Sequence, residues 1–355
     1  MQKKKILLIA STPLSNDGLT KIEMNVIEYN KGIIDFDVAC SFGFDNGYGE
    51  KLKKQGIICH CLPQKKNIVA YMVAIRKLVK SKAYSAVYIH GNSAMMFMEA
   101  IPAKMGGSKV ITHCHNTKSD FPLIHYIMKP FFNLAVDEKI GCSILATKWA
   151  YCGKNIITIP NGIELEKFAY QNQIREKIRE EFKWKENKVI GHIGRFNKQK
   201  NHMRLISIFD TVNHIDCSTR LLLIGDGELK EDVTSEIRRR NLESVVYLLD
   251  YTERPQDYIQ AMDIMVLPSL FEGLCLVAIE AQANGLPVLI DTLFSPETTA
   301  SSQVRKLDLS QSDEKWAETI LQMLKEGRCD VKEQITEKEL DYQSMMTKIQ
   351  TILLK

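Results

Sequence analysis

The chain has 355 residues, of which 45% are hydrophobic and 25% charged, and a formal net charge of +4. That length favours two domains over a single core, and the composition is that of an ordinary globular protein. A net charge this small gives no expectation of a nucleic-acid partner, and no run of about eighteen apolar residues predicts a membrane-spanning helix.

The charge is unevenly spread. Residues 1–110 carry 16 Lys/Arg against 8 Asp/Glu, and the remainder carries 31 against 35. A basic first half suits an anionic surface or a phosphorylated partner; the alternative is a scattered, solvated face. The nine cysteines, Cys40, Cys59, Cys61, Cys114, Cys142, Cys152, Cys217, Cys275 and Cys329, are odd in number and lie mostly in apolar, strand-like contexts. They are expected to be buried, reduced thiols of the cytosol. Cys59-His60-Cys61 and His113-Cys114-His115 invite a metal reading. Neighbouring strand residues point to opposite faces, and no second ligand pair follows at zinc spacing, so no metal is expected.

In chain order, Lys3 to Ala10 is too short an apolar core for a signal peptide, and it ends at Ser11-Thr12-Pro13; it predicts a first buried strand. Strand-like runs follow at 34–40, 57–62, 85–90, 109–114, 139–142 and 155–159, with helices over 19–30, 68–82 and 92–105. Ile159-Pro160-Asn161-Gly162-Ile163 is a turn signal, and the charged stretch from Arg175 to Lys188 is helical. A second series of strands occupies 188–193, 220–224, 245–249, 263–267 and 287–290. Beyond 310 the pattern is wholly helical, with one apolar stripe at Trp316, Ile320, Met323 and Leu324 and another at Met345, Ile349, Ile352 and Leu353. This alternation predicts an α/β protein of two Rossmann-like domains facing across a cleft. The expected division is 1–164, 165–335 and a final helix, 336–355, returning to the first domain.

Ligands of open α/β sheets bind outside the carboxyl ends of the strands, so the loops there hold the candidate site residues. Pro13 to Thr20, with Asn16 and Gly18, follows the first strand; it either caps a substrate cleft or is a plain helix start capped by Asp17. His90-Gly91-Asn92-Ser93 and His113-Cys114-His115-Asn116-Thr117 each end a strand and offer substrate ligands. The second series opens with a strand running into Gly194, then Arg195 and Lys200. Glycine lets a ligand approach the backbone, and two cations clamp a diphosphate. Gly225-Asp226-Gly227 makes a tight strand-to-helix turn; it lacks the third glycine of a dinucleotide fingerprint. The run Phe271 to Ala281 puts Glu272 in a loop and Glu280 about two turns into the following helix. Carboxylates there accept hydrogen bonds from the hydroxyls of a sugar or a ribose.

Together these residues resemble the retaining family-4 glycosyltransferases of the glycosyltransferase-B fold. The anchors are Gly194-Arg195 with Lys200-Asn201, Gly225-Asp226-Gly227, Asp263 with Pro268-Ser269, the pair Glu272 and Glu280, and the linker Ile159 to Ile163. His113-Cys114-His115-Asn116-Thr117, Gly141-Cys142-Ser143 and Glu280-Ala281-Gln282 look most like bacterial capsule and exopolysaccharide enzymes. The resemblance implies that Arg195 and Lys200 hold the diphosphate of a nucleotide sugar, expected to be UDP-linked, beside Gly194 and Gly225. Glu280 meets the ribose. Glu272 meets the transferred sugar, with the backbone of Gly273, Leu274, Cys275, Leu276 and Val277 near sugar and phosphate. Asn16, Gly18, His113, His115 and Asn116 lie on the acceptor side, with Glu272 and His115 the catalytic candidates. No metal and no cofactor are implied. The pattern departs at Leu249 and at Leu293-Phe294-Ser295, where the family commonly has glycines.

The expected acceptor is a lipid-linked oligosaccharide at the cytoplasmic face of the inner membrane. Lys65 to Lys80 mixes basic and apolar residues at helical spacing, and Phe121 to Phe132 is rich in aromatics; both suit an anionic bilayer. For 68–79 an ordinary crossover helix is the competing reading. Two rival functions are a catalytically silent relative that binds a partner, and another enzyme of the same fold. The four charged residues Arg195, Lys200, Glu272 and Glu280 argue against the first. For the second, an epimerase needs acid/base residues that the sequence does not place, and a phosphorylase needs a pyridoxal lysine motif that it does not show.

Overall fold

The computed structural model describes residues 3–14, 18–44 and 47–355; Asn16 lies outside them. The chain forms two compact units, residues 1–161 with 343–355, and residues 162–342. The boundaries thus fall at 161 and 342 rather than 164 and 335. Ile163 explains both shifts: its N–H donates to Leu340 O at 2.9 Å, and its carbonyl accepts from Tyr342 N–H at 2.9 Å. These bonds tie 340–342 to the start of the second unit.

The first unit is built on seven strands: β1 (Lys4–Ala10), β2 (Ile34–Cys40), β3 (Ile58–Cys61), β4 (Ala86–Gly91), β5 (Lys109–Cys114), β6 (Glu138–Gly141) and β7 (Ile156–Thr158). Their order is β3-β2-β1-β4-β5-β6-β7, and every pairing is parallel. β1 is central because Ile6 to Ala10 bury both faces, as a parallel strand between two helical layers requires. Helix Ile68–Lys82, capped by Asn67, turns Tyr71, Ile75 and Val79 inward at four-residue spacing. It is a crossover helix with one packed face. Helix Pro122–Ala135 differs: it buries His125, Phe132, Asn133 and Ala135 but exposes Leu123, Ile124, Tyr126, Ile127, Phe131 and Leu134. Helix Tyr342–Leu354 buries Met345, Met346, Ile349, Ile352 and Leu353. Its Gln350 Nε2 donates to Asn30 Oδ1 at 2.9 Å, and Lys4 Nζ donates to Leu354 O at 2.6 Å.

The second unit holds β8 (Lys188–Ile193), β9 (Thr219–Ile224), β10 (Val246–Leu249), β11 (Ile264–Leu267), β12 (Val288–Ile290) and β13 (Val304–Lys306). The order β10-β9-β8-β11-β12-β13 is again all parallel. β13 gives no sequence signal, since two of its three residues are Arg305 and Lys306. The core joins Leu205, Phe209 and Val212 to Trp316, Ile320 and Met323.

The cysteines depart from expectation. Only Cys40, Cys114, Cys142 and Cys275 are buried, while Cys61, Cys152, Cys217 and Cys329 are exposed; all nine are free thiols. β3 is an edge strand with little cover over Cys59 and Cys61, and Cys152, Cys217 and Cys329 lie outside the named helices and strands.

At the amino edge of the second sheet, Asp263 joins three segments. Its Oδ1 accepts from Arg175 Nη2 at 2.5 Å. Its Oδ2 accepts from Arg179 Nη1 at 3.1 Å and from Val189 N–H at 2.8 Å. Removing one partner of a largely buried ion network leaves the others uncompensated. Asp263→Ala is therefore expected to lower unfolding stability by about 3 kcal/mol, read as a lower urea midpoint. An unchanged midpoint refutes this account of the second unit.

Candidate functional site

In the second sheet the strand order reverses between β8 and β11, which are direct neighbours. The loops leaving their carboxyl ends therefore diverge around one crevice. The loop after β8 carries Gly194, Arg195, Gln199, Lys200 and Asn201; the loop after β11 carries Glu272 and leads to helix Leu276–Ala283. Three hydrogen bonds to backbone oxygens join the loops. Leu270 N–H donates to Gln199 O at 2.8 Å, Gln199 Nε2 to Phe271 O at 3.0 Å, and Asn201 Nδ2 to Pro268 O at 3.1 Å.

Glycine is required where a third loop closes on the first. Gly225 has φ +152°, and a Cβ there would stand 2.1 Å from Gly194 O; at Gly227 it would stand 2.5 Å from Phe196 O. The close approach lets Phe196 N–H donate to Asp226 O and Leu229 N–H to Phe196 O, each at 2.9 Å. The Gly194-Arg195 turn is thereby held by backbone alone. A side chain at Gly194 would press on the Lys200 stem, 3.2 Å away.

The charged centre is an ion pair. Lys200 Nζ lies 2.7 Å from Glu272 Oε1, with side chains only 16% and 7% exposed. Burial alone would depress the lysine, but Glu272 outweighs it and holds the ammonium above its ordinary pKa. Glu272 Oε2 accepts from Gln199 Nε2 at 3.3 Å, so both carboxylate oxygens are fixed. The sequence reading missed Gln199, although its neighbour Lys200 was in view. Arg195 is placed differently: its Nε meets Glu228 Oε2 at 3.2 Å, and both side chains are mostly in solvent, 70% and 58% exposed. Such a pair is weak and easily exchanged.

Helix Leu276–Ala283 begins after Cys275, so Glu280 is its fifth residue, about one turn in rather than two. The sequence pattern could not separate the coil Gly273 to Cys275 from the helix that follows. Leu274 and Cys275 are buried, and Glu280 is half-buried. Burial together with Glu272 pushes the Cys275 thiol up to about 12, which leaves it protonated and inert. The positive end of this helix's dipole lies at Leu276 and Val277, shortly after the loop that carries Glu272.

In the first unit the order also reverses, between β1 and β4. Gly18 opens helix Gly18–Tyr29, and a Cβ there would meet nothing within 4 Å. His115 is half-buried, just beyond β5, its N–H bonded to Gly91 O at 2.9 Å. Asn116 is also half-buried, its Oδ1 accepting from Thr117 N–H at 2.8 Å. His113 is corrected: it does not stand at an open strand end. β5 continues to Cys114, so His113 is fully buried within it, its Nδ1 2.9 Å from Tyr88 Oη.

Residues 174–339 match the family model described as "Glycosyl transferases group 1". The glycosyltransferase EpsF of Bacillus subtilis is 29% identical over 352 residues, 92% of this chain and 89% of the relative. A 27% identical segment, 62% of this chain and 61% of the relative, is shared with an Escherichia coli enzyme. That enzyme is named UDP-Gal:alpha-D-GlcNAc-diphosphoundecaprenol alpha-1,3-galactosyltransferase. Among solved structures, Anabaena HepE in complex with UDP superposes with a TM-score of 0.81 over 99% of both chains at 15% identity. The chain thus has the two Rossmann-like units of the glycosyltransferase-B fold.

Beside the loops after β8 and β11 lie His192 and His202, ring centroids 4.6 Å apart. His202 stacks on Phe196 at 4.3 Å, and neither of its ring nitrogens has a hydrogen-bond partner among the described residues. Burial, reinforced by Lys200, pushes His202 down to about 4, while the unfolded value is about 6.5. Between those values the unfolded chain binds a proton that the folded chain does not, so stability falls as pH drops through this window. His202→Phe keeps the stack and removes the titration. We expect its melting temperature to fall less than the parent's between pH 7 and pH 5. Equal pH sensitivity would place the loss elsewhere.

Proposed function

We propose that the chain is a retaining, metal-independent glycosyltransferase. It moves a hexose or N-acetylhexosamine from a UDP-sugar to a growing, lipid-linked cell-surface saccharide. The observation that carries this reading is the buried Lys200–Glu272 pair, 2.7 Å apart, at the switch point of the second sheet. The relatives support the substrate classes: HepE has been solved with UDP-glucose, and the Escherichia coli enzyme is named for a UDP-Gal donor and a diphosphoundecaprenol-linked acceptor.

On this reading each donor group has a partner of matching chemistry. Lys200 spends one of its three N–H donors on Glu272 and offers the others to the diphosphate. Arg195 leaves its exposed partner Glu228 for the same diphosphate, at little cost in water. The positive end of helix Leu276–Ala283 adds favourable potential, so the protein itself offsets the phosphate charge. Glu280 accepts from the ribose hydroxyls. Glu272, held in place by Lys200 and Gln199, meets a hydroxyl of the transferred sugar. Gly18, His115 and Asn116 serve the sugar and acceptor side.

The acceptor hydroxyl attacks the anomeric carbon on the face from which the diphosphate departs. The bond from that carbon to the phosphate oxygen breaks, and its electron pair goes to the leaving phosphate. The same oxygen takes the acceptor proton. Holding both reactants in this alignment, away from water, lowers the barrier and suppresses donor hydrolysis.

The lipid-linked acceptor also gives the exposed face of helix Pro122–Ala135 a role. Leu123 and Leu134 are 72% and 82% exposed there, and Lys118 and Lys148 are nearby in sequence on the same unit. An apolar face with basic neighbours suits an anionic bilayer.

Two measurements test these assignments. A lost hydrogen bond to a charged group is worth about 1.5–3 kcal/mol. Glu280→Ala should therefore lower kcat/KM for transfer roughly 10- to 100-fold. Lys200→Ala should lower it at least as much while also lowering the melting temperature, and donor turnover compared across UDP-, GDP- and ADP-sugars identifies the base. Near-normal transfer by both variants sinks the assignment. In liposome co-sedimentation the parent should bind vesicles containing anionic lipid, and Leu123→Glu with Leu134→Glu should abolish binding. Absence of binding by the parent rejects the membrane role.

A further inference from the structure

Among the described residues, one group of three side chains outside the donor-side loops can ligate a metal ion: His90, His113 and His115. Strand pairing builds it. His90 of β4 lies directly opposite His113 of β5 in the parallel register, and His115 follows two residues on. A ring nitrogen from each lies within 4.8 Å of one from each of the others. His90 Nδ1 and His115 Nε2 are only 3.1 Å apart.

The orientation of the rings is constrained. His113 Nδ1 is 2.9 Å from the buried hydroxyl of Tyr88, which can take its N–H and leave Nε2 with a lone pair. Metal-bound histidines are typically oriented in this way by an oxygen on the other ring nitrogen. His113 Nε2, His90 Nε2 and His115 Nδ1 are all buried without a hydrogen-bond partner. Buried polar atoms are nearly always paired, so the orphaned His113 Nε2, the nitrogen that the Tyr88 contact leaves with a lone pair, asks for a ligand. Burial also favours the neutral ring in all three, pushing His115 down to about 3.

We propose that His90, His113 and His115 form a site on the first unit for a borderline divalent transition metal, with Zn2+ the natural occupant. Imidazole donors without a carboxylate suit zinc, copper or nickel and not magnesium or calcium. A tetrahedral zinc about 2.0–2.1 Å from each nitrogen sets the nitrogens roughly 3.3 Å apart. His90 Nδ1 and His115 Nε2, 3.1 Å apart, already meet that spacing, and a ring nitrogen of His113 lies within 4.8 Å of one from each. Three protein ligands leave the fourth position open, at the half-buried His115. Sequence spacing hides the site, because the third ligand comes from a neighbouring strand 23 residues before His113. The ion belongs to this cluster and is no part of the diphosphate clamp.

The test is direct metal binding by the full chain, kept reduced and stripped of metal. Titration with Co2+ should give one ion per chain, the visible absorption of a tetrahedral nitrogen-ligated site, and displacement by Zn2+. X-ray absorption of the Zn2+-loaded parent should count three imidazoles and no sulfur. His115→Ala removes a ring at the edge of the cluster and is the variant best placed to fold; it should weaken Co2+ binding about 100-fold. Absence of stoichiometric binding, thiolate ligation through the nine cysteines, or unchanged affinity in folded His115→Ala would each overturn the proposal. None of these readouts depends on glycosyl transfer, so this inference and the proposed activity fail separately.

Discussion

Lys200 and Glu272 are 72 residues apart in sequence and meet only because β8 and β11 are neighbours where the strand order reverses. Much of the candidate site in the second unit depends on that encounter. The pair is largely shielded from water, so each charge is tenable only while the other stays in place. Gln199 adds a second grip on the carboxylate. The loop-to-loop bonds from Gln199 and Asn201 keep the two partners from drifting apart. Asn201 adopts the left-handed conformation at φ 57° to turn the chain into the next helix, and Asn tolerates this better than most residues.

Around this centre the site combines fixed and movable parts. The Gly194 turn is clamped by backbone contacts that only glycine permits at 225 and 227. Arg195, one residue later, projects into solvent with a partner it can exchange. On the proposed function, such a frame sets the position of a diphosphate and the exposed arginine adapts to it.

The sequence conveyed the fold well where the signal was hydrophobic. Continuous apolar runs such as Ile6 to Ala10 marked central parallel strands, and the stripe at Met345, Ile349, Ile352 and Leu353 marked the buried face of the last helix. It conveyed less where the determining contacts are long-range. β13 has too few apolar residues to stand out. The start of helix Leu276–Ala283 was invisible because apolar residues continue through the coil before it. In the site, the residue types Arg195, Lys200, Glu272 and Glu280 were legible from glycine turns and strand ends. The direct Lys200–Glu272 bond and the part of Gln199 were not, since both need two loops placed side by side. His113 misled for a related reason: whether a residue near a strand end faces a crevice or a neighbouring strand is decided by where pairing stops.

The Lys200–Glu272 pair also bears on selectivity. Without a donor, the lysine is already satisfied by an internal anion of unit charge. A newcomer must compete with a tethered carboxylate whose local concentration is far above that of any free solute. A lone monoanion gains little by such competition. On the proposed function, a diphosphate reaches Lys200, Arg195 and the helix start together, and its sugar engages the carboxylate as well. On that same proposal the built-in anion is a sieve against lone monoanions, admitting a ligand that brings several contacts at once.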